Sequence, residues 1–267
     1  MTQGEAATAL SAAVAQAYNV FSGYRPGSQL ATCRCSMCMD DHTEHLLLTT
    51  PLREIQHETL CEYTWSANGL DEPKFNADEL RYFLPRYFEF IAGGEWPAFS
   101  DPEPTLRQLG TLNYRANWPA LEVATVDQFF AALFHSALAK PLSWNKSELG
   151  DALAWSTVEE TLCCIAHGGG DMTSLLAAWD HSASPFADDH RAALAASCDD
   201  EEEHGLWSPF WSNQLQDAKI VALWIRRPET IERLQCALSK LPPGKRAALH
   251  ASAIKNVEQL TTEPNAR

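Results

Sequence analysis

The spacing of apolar residues between positions 80 and 91 constrains the fold of this chain more than any other feature of its sequence. Six apolar side chains recur there at intervals of three and four residues: Leu80, Phe83, Leu84, Tyr87, Phe88 and Ile91. That spacing is typical of an α-helix that packs one face on a core. Asn76 paired with Glu79 predicts the start of this helix, and Gly93 followed by Gly94 predicts its end. Pro85 lies inside the pattern and predicts either a kink or a break into two helices.

The same helical period occurs along most of the chain. Thr125 paired with Gln128 predicts another helix start, ahead of a run of apolar residues. Further helices are predicted at 4–21, 51–67, 151–167, 172–182, 185–199, 213–226, 229–241 and 244–260. The sequence shows neither a sustained two-residue alternation nor an Asn-Gly or Asp-Gly hairpin turn, which argues against a substantial β-sheet. We therefore predict an all-α fold, arranged as a multi-helix bundle or as stacked helix pairs.

The domain organisation follows from one proline-rich stretch. The chain has 267 residues, 45% of them hydrophobic, which is enough for a buried core and excludes disorder. Residues 96–118 contain three prolines, so we predict an irregular connection there, packed on the rest of the chain through its aromatic residues. A helical part with the cysteine and histidine cluster, 1–95, would precede it, and a helical body, 119–267, would follow it. One continuous domain is the alternative.

The charged residues are unevenly distributed. Residues 226–267 carry 8 basic and 4 acidic side chains, whereas the rest of the chain carries 12 basic and 31 acidic ones, for a net charge of −15. An anionic surface repels phosphates, which argues against nucleic acid as a partner and favours a basic protein partner. No apolar run reaches the length of a membrane span, and the N-terminus lacks the basic start of a signal peptide. We expect a cytoplasmic protein with no membrane partner.

A cluster of cysteine and histidine residues predicts a metal site. Cys35 and Cys38 have the spacing that lets two thiolates at one turn reach the same ion, and sulfur with imidazole is the ligand set that zinc prefers. Cys33 would be a third ligand or, because a single residue separates it from Cys35, a spectator. The candidates for the remaining ligand are His42, His45 and Cys61. We predict a structural zinc ion that staples the N-terminal segment; free thiols or a redox pair are the alternatives.

The same region resembles a known family. The cysteine cluster is followed by TPLREI at 50–55, YTWSA at 63–67 and RYFLPRYFE at 81–89. This combination resembles a family of uncharacterised bacterial proteins with a cysteine-rich start and an R-[YF]-F-L-P-R motif. The resemblance covers residues 33 to 93 and implies a bacterial origin and a common folding unit, with no established activity. Arg81 and Arg86 of the motif are interpreted as partners in structural ion pairs or as solvated arginines. The alternative is an anion or partner site, with both arginines directed toward a predicted acidic loop at Asp40 and Asp41.

An acidic run followed by tryptophans predicts a partner surface. The candidate partner-binding residues are Asp199, Asp200, Glu201, Glu202, Glu203, Trp207 and Trp211. Buried aromatic anchors with a charged rim are typical of protein interfaces. The alternative is a solvated loop followed by core tryptophans, because Trp207 and Trp211 also have helical spacing.

Motifs for known catalytic chemistry are missing from the sequence. The spacing and order of the cysteines differ from those of zinc deaminases, and no HExxH pattern occurs. Cys163, Cys164 and His167 share one predicted helix, and we interpret them as core residues and a C-terminal cap. We therefore predict a non-enzymatic interaction protein, of the inhibitor or immunity type, that neutralises a basic partner such as a toxin. The alternative is a metal- or Cys/His-dependent enzyme whose site assembles only in the fold.

Overall fold

The fold is all-α, as predicted from the helical period. A computed structural model describes residues 1–68, 76–98, 104–147, 150–153, 157–198, 205–206 and 208–262. The helices of these residues are α1 Gln3–Val20, α2 Asp41–Thr49, α3 His57–Asn68, α4 Ala77–Gly93, α5 Pro104–Thr111, α6 Tyr114–Asn117, α7 Ala120–Leu138, α8 Thr157–His167, α9 Met172–Asp180, α10 Ala187–Ala196, α11 Leu215–Ile225, α12 Pro228–Leu238 and α13 Lys245–Thr262. Two 3-10 helices lie at Leu52–Glu54 and Pro209–Asn213.

One small β-hairpin interrupts the helices. Strands β1 (Trp144–Ser147) and β2 (Gly150–Leu153) pair antiparallel, with Trp144 opposite Leu153. Strand β2 occupies positions 151–153 of the segment that the sequence predicts as one helix at 151–167, and α8 begins at Thr157. The expectation that the chain has no substantial sheet is confirmed for the described residues, since their only sheet has two strands.

The chain divides into two compact units. One unit, here the cysteine unit, comprises Ala7–Leu133 and Cys164–Gly170. The second unit comprises Met1–Ala6, Phe134–Cys163 and Asp171–Arg267. The division at residues 96–118 stays a prediction.

Helix α4 provides the main apolar face of the cysteine unit. The Asn76 side chain accepts hydrogen bonds from the amides of Asp78 and Glu79, and Gly94 ends the helix with φ +89°. Both predicted ends are confirmed. The helix continues through Pro85, although proline lacks the amide hydrogen for one backbone hydrogen bond. Its apolar side chains are buried, and the ring of Phe88 stacks on that of Phe129 at 3.7 Å between centroids. We infer that this burial offsets the missing hydrogen bond.

Two local predictions are wrong for reasons that involve capping, and the structure adds detail to a third segment. The sequence predicts an acidic loop at 40–41, but Asp40 accepts a hydrogen bond from the Thr43 amide and caps α2. Thr125 is not a cap: α7 begins at Ala120, and the Thr125 hydroxyl donates to the carbonyl of Leu121 within the helix. The predicted irregular segment 96–118 contains α5 and α6, whose leucine and tyrosine side chains are buried.

The helices differ from membrane spans in length and composition. In the part of the chain that the structure describes, no helix combines the length and the apolar character that crossing a bilayer requires.

Candidate metal centre

Three thiols of the N-terminal segment lie close together. The Sγ atoms of Cys33, Cys35 and Cys38 all lie within 4.8 Å of one another. Cys35 is exposed, whereas Cys33 and Cys38 are half-buried. The Sγ atoms of Cys35 and Cys38 are 3.3 Å apart. Three thiolates at this separation can bind one metal ion, because soft sulfur ligands are those that zinc and copper(I) prefer.

The loop that carries the thiols is held to helix α3 through a single residue. We call residues 28–40 the cysteine loop. The amide of Cys33 donates to the carbonyl of Ser66 at 2.9 Å, and the amide of Met39 donates to the Ser66 hydroxyl at 2.8 Å. Ser66 is buried. These two hydrogen bonds hold the backbone at both ends of the cluster, so the backbone that carries the thiols is restrained before any metal binds.

A buried carboxylate of helix α2 holds the loop at a second point. Glu44 accepts a hydrogen bond from the Leu30 amide at 2.7 Å. The Arg34 guanidinium, placed between two of the thiol residues, donates to both oxygens of Glu44 at 2.6 Å. This two-pronged geometry is the strongest form of carboxylate recognition by arginine. The hydrogen bonds from Arg34 lower the pKa of Glu44 below its usual value.

A second buried carboxylate, on helix α4, holds the loop at a third point. Both oxygens of Glu79 accept the Ala31 amide, at 2.9 and 3.0 Å, and the Tyr63 hydroxyl donates to the same group at 3.3 Å. Burial raises the pKa of Glu79, because it penalises the charged form more than these hydrogen bonds stabilise it. Residues from three helices therefore position one short loop.

The environment of the thiols separates their pKa values. The Met37 amide, followed by hydrogen bonds from the neighbouring thiols, lowers the pKa of Cys35 to about 7. Burial raises the pKa of Cys38. Because the thiolate is the form that binds metal, Cys35 is the thiol most readily available to a metal ion at neutral pH.

The other predicted ligands lie outside this cluster. His42 and His45 are exposed on helix α2. Cys61 is buried on helix α3, where its sulfur lies 3.7 Å from Nδ1 of His57, and burial raises its pKa to about 11. Among the described residues, the group of ligand atoms within 4.8 Å of one another contains the three thiols alone, and it includes Cys33.

The two arginines of the R-[YF]-F-L-P-R motif form ion pairs within the cysteine unit. Arg81 contacts Glu122 at 2.8 Å and Asp78 at 3.0 Å. Arg86 contacts Glu89 at 2.6 Å and donates to the backbone carbonyl of Ile55. These contacts support the structural interpretation of both arginines, and Asp40 is occupied by its capping bond.

The predicted partner surface falls mostly outside the described residues. Asp199, Asp200, Glu201, Glu202, Glu203 and Trp207 all lie in the part of the chain that the structure does not describe. Trp211 is fully buried in the second unit, and its indole N–H donates to Glu159 at 3.3 Å. A buried ring offers no surface to a partner, so the structure supports the core alternative for Trp211. Cys163 and Cys164 are likewise buried.

Sequence reasoning missed the residues that position the cysteine loop. Glu44 and Leu47 are the buried residues of α2. Because Glu44 is charged and shares a buried face with Leu47, its position in the sequence was the one feature that could have pointed to a buried polar contact. In the sequence, Glu79 stands out only as a capping partner of Asn76. Nothing in the sequence pairs Ser66 with residues 27 or more positions away.

A second polar site, in the second unit, was also missed. Nε2 of His250 lies 3.0 Å from Oδ1 of Asp189, and Arg246 contacts the other oxygen of that carboxylate at 2.8 Å. His250 and Asp189 are both buried. Cys236, which is exposed, lines the same pocket of about 340 Å³ together with Lys240.

Fold and site define an all-α protein whose clustered thiols can hold a metal ion. Comparison with known proteins finds no matching family model, no matching curated protein and no matching solved structure. The resemblance to the bacterial family with the cysteine-rich start therefore stays a prediction. The case for any function rests on the residues themselves.

Proposed function

We propose that this protein is a non-enzymatic, zinc-binding interaction protein. The observation that carries the proposal is the approach of Cys33, Cys35 and Cys38 to within 4.8 Å of one another, in a loop restrained by buried side chains. Packing alone gives no reason for three polar thiols at a surface. Three sulfur atoms this close together can bind one soft metal ion.

The donor set favours zinc over the metals that prefer oxygen ligands. Three sulfur ligands exclude magnesium and calcium, which prefer oxygen. Zinc takes tetrahedral sites built from thiolates, with or without imidazole, and it has no redox chemistry. The bound ion would draw the exposed turn at Ser36 and Met37 onto the restrained parts of the loop, and so staple the N-terminal segment.

The partner we propose is a basic protein, such as a toxin that this chain neutralises. The charge distribution supports this choice, because residues 1–225 carry 31 acidic and 12 basic side chains. Opposite charge on the partner would accelerate the encounter of the two molecules. The run of acidic residues at 199–203 is the densest negative segment and is the proposed contact.

Metal analysis tests the first half of the proposal. Protein purified under reducing conditions without chelator should contain about one zinc per chain, as a single three-thiol cluster requires. The double variant Cys35→Ser, Cys38→Ser should lose the metal and unfold at a lower temperature, because binding is coupled to loop structure. The control is Cys236→Ser, which removes an exposed thiol outside the cluster. Metal-free wild-type protein, or retention by the double variant, would contradict the proposal.

Binding kinetics test the second half. A partner captured from the native host would be measured at two salt concentrations against a variant with Ser at 199–203. Association should slow several-fold and lose salt dependence. The matched control replaces five exposed glutamates elsewhere with Ser, for the same change in net charge: Glu54, Glu58, Glu95, Glu229 and Glu232. Equal slowing in both variants would indicate a general charge effect and contradict a contact at 199–203.

A second candidate function is a cysteine-dependent enzyme, favoured by the pocket of the second unit. Donation from Nε2 of His250 to Asp189 leaves Nδ1 as the basic nitrogen of the ring. Cys236 lines the same pocket, and a thiol with a carboxylate-oriented histidine is the residue set of nucleophilic catalysis. The test is the rate of alkylation of Cys236 by iodoacetamide. If His250 activates the Cys236 thiol, the alkylation rate should fall in His250→Gln. An unchanged rate would contradict this second candidate function.

A further inference from the structure

Three thiols leave one position of a tetrahedral zinc ion without a ligand. Closed structural sites use four protein ligands, whereas sites with three keep a position for an exchangeable ligand. The cysteine loop supplies Cys33, Cys35 and Cys38, of which Cys35 is exposed and the other two are half-buried. Any role for the open position rests on the function proposed above, metal binding by these three residues.

Two of the acidic groups near the thiols in sequence, Asp40 and Glu44, are already occupied, whereas Asp41 is exposed. Asp40 accepts the Thr43 amide at 2.7 Å and caps helix α2. Glu44 accepts Arg34 and the Leu30 amide. If Asp40 bound a metal ion, helix α2 would lose its cap. If Glu44 bound it, the loop would lose its hydrogen bonds to Glu44. Both are therefore poor candidates for the fourth position.

The nitrogen and sulfur groups that the sequence offers are also placed elsewhere. His42 and His45 lie exposed on helix α2, outside the group of ligand atoms. Cys61 is buried against His57. Within the described ranges, the fold thus brings three sulfur ligands together without a fourth ligand atom beside them, and one of the three, Cys35, is exposed to solvent.

Charge favours a neutral donor at that position. Three thiolates exceed the two positive charges of zinc by one, and Arg34, the arginine of the loop itself, is already paired with Glu44. The whole chain carries a net charge of −15. A further thiolate or carboxylate would add negative charge to an anionic centre, whereas an imidazole adds none. Three cysteines with one histidine are also an established zinc ligand set.

We infer that an imidazole from outside the chain, most simply a histidine side chain of a partner molecule, occupies the fourth metal position beside Cys33, Cys35 and Cys38. The metal centre is then a binding point for a partner as well as a staple. A histidine on a basic partner would join metal coordination to the charge attraction proposed above.

Cobalt substitution tests this inference. The reduced protein would be loaded with one equivalent of Co²⁺, whose visible bands report the number and kind of its ligands. Addition of free imidazole should shift these bands saturably, while acetate at equal ionic strength should leave them unchanged. A capped peptide with one histidine should shift them as imidazole does, and its alanine counterpart should not. A response to imidazole without a response to the peptide assigns the position to a small molecule with the same donor chemistry.

The variant His42→Ala, His45→Ala separates an external donor from an internal one. The inference requires this variant to show the wild-type cobalt spectrum and the wild-type response to imidazole. It is overturned if the wild-type bands ignore imidazole, or if the double variant alters the spectrum, since a histidine of helix α2 would then be the ligand. A protein that binds no Co²⁺ or Zn²⁺ at all would instead contradict the proposed function, so the two failures are distinguishable.

Discussion

Each compact unit contains a buried carboxylate, and the two differ in the charge of their hydrogen-bond donors. Glu44 of the cysteine unit faces the Arg34 guanidinium at 2.6 Å, and this partner lowers its pKa. Glu159 of the second unit accepts the Trp211 indole and the Ser197 hydroxyl, both at 3.3 Å, and the Ser208 amide. These donors are neutral, and burial raises the pKa of Glu159 in spite of them.

The difference shows what each carboxylate contributes. An ionised carboxylate with a cationic partner can hold an exposed loop in place, because charge-assisted hydrogen bonds are strong. A carboxylate that is buried among neutral donors accepts their hydrogen bonds. Its burial costs free energy, and this cost is larger when the carboxylate is ionised. Glu44 therefore serves the proposed metal centre, and Glu159 serves the packing of Trp211. Substitutions at and around the two carboxylates should separate these roles.

The largest expected effect concerns Trp211, the tryptophan packed at Glu159. Trp211→Ala should lower the free energy of unfolding by about 4 kcal/mol, since it empties a core site and leaves Glu159 without one donor. The measurement is urea denaturation followed by circular dichroism. The control is Trp65→Ala, whose ring is 44% exposed in the cysteine unit and whose removal should cost below about 1 kcal/mol. Equal costs would show that the burial of Trp211 does not govern its contribution.

Glu44→Gln should weaken metal binding by about tenfold, because a group that positions the ligands is lost while one acceptor for the Leu30 amide remains. The zinc dissociation constant, measured by competition with a chromophoric chelator, reports this change. Glu58→Gln on helix α3 is exposed and should leave the constant unchanged. An unaltered constant in Glu44→Gln would mean that the Arg34 pair does not position the thiols.

The two carboxylates should respond to pH in opposite directions. A lowered folded-state pKa makes the stabilisation by Glu44 present above its usual pKa of 4.5 and lost as pH falls through the folded value. A raised folded-state pKa makes the contribution of Glu159 present below 4.5 and lost as pH rises through the folded value.

The difference in unfolding free energy between the wild type and each Gln variant, measured without metal from about pH 2 to pH 8, should isolate these two contributions. Relative to the wild type, Glu159→Gln should gain stability as pH rises, and Glu44→Gln should gain stability as pH falls. If the stability differences of the two variants changed with pH in the same direction, the proposed difference between Glu44 and Glu159 would be wrong.

The smallest effect is expected at the tip of the cysteine loop. Met37 is 86% exposed, so Met37→Ala should change the unfolding free energy by no more than about 0.5 kcal/mol. It should also leave the zinc stoichiometry unchanged, because the Met37 backbone amide near Cys35 is retained. A loss of metal would show that the thioether is itself a ligand, and would shift the proposed metal toward copper(I).

Features that depend on residues close together in the sequence were the ones that could be predicted. The all-α class, the cap at Asn76 and the end of α4 at Gly94 followed from patterns that span a few residues. The paired strands at 144–147 and 150–153 and helix α2 were missed, since short elements carry too few residues for a clear period. The proximity of the three thiols was foreseeable from their separation of two and three positions, although their spacing alone also allowed Cys33 to be a spectator.

The sequence by itself determined the helical period, the helix ends and the gathering of thiols in one loop, because each depends on neighbours within one or two turns. Tertiary structure alone decided what holds that loop and which carboxylate meets which donor. Ser66 reaches Met39 across 27 positions, Glu79 reaches Ala31 across 48, and Trp211 reaches Glu159 across 52. No local pattern encodes such pairs, since their partners are chosen by helix packing, and burial then sets the protonation of each carboxylate.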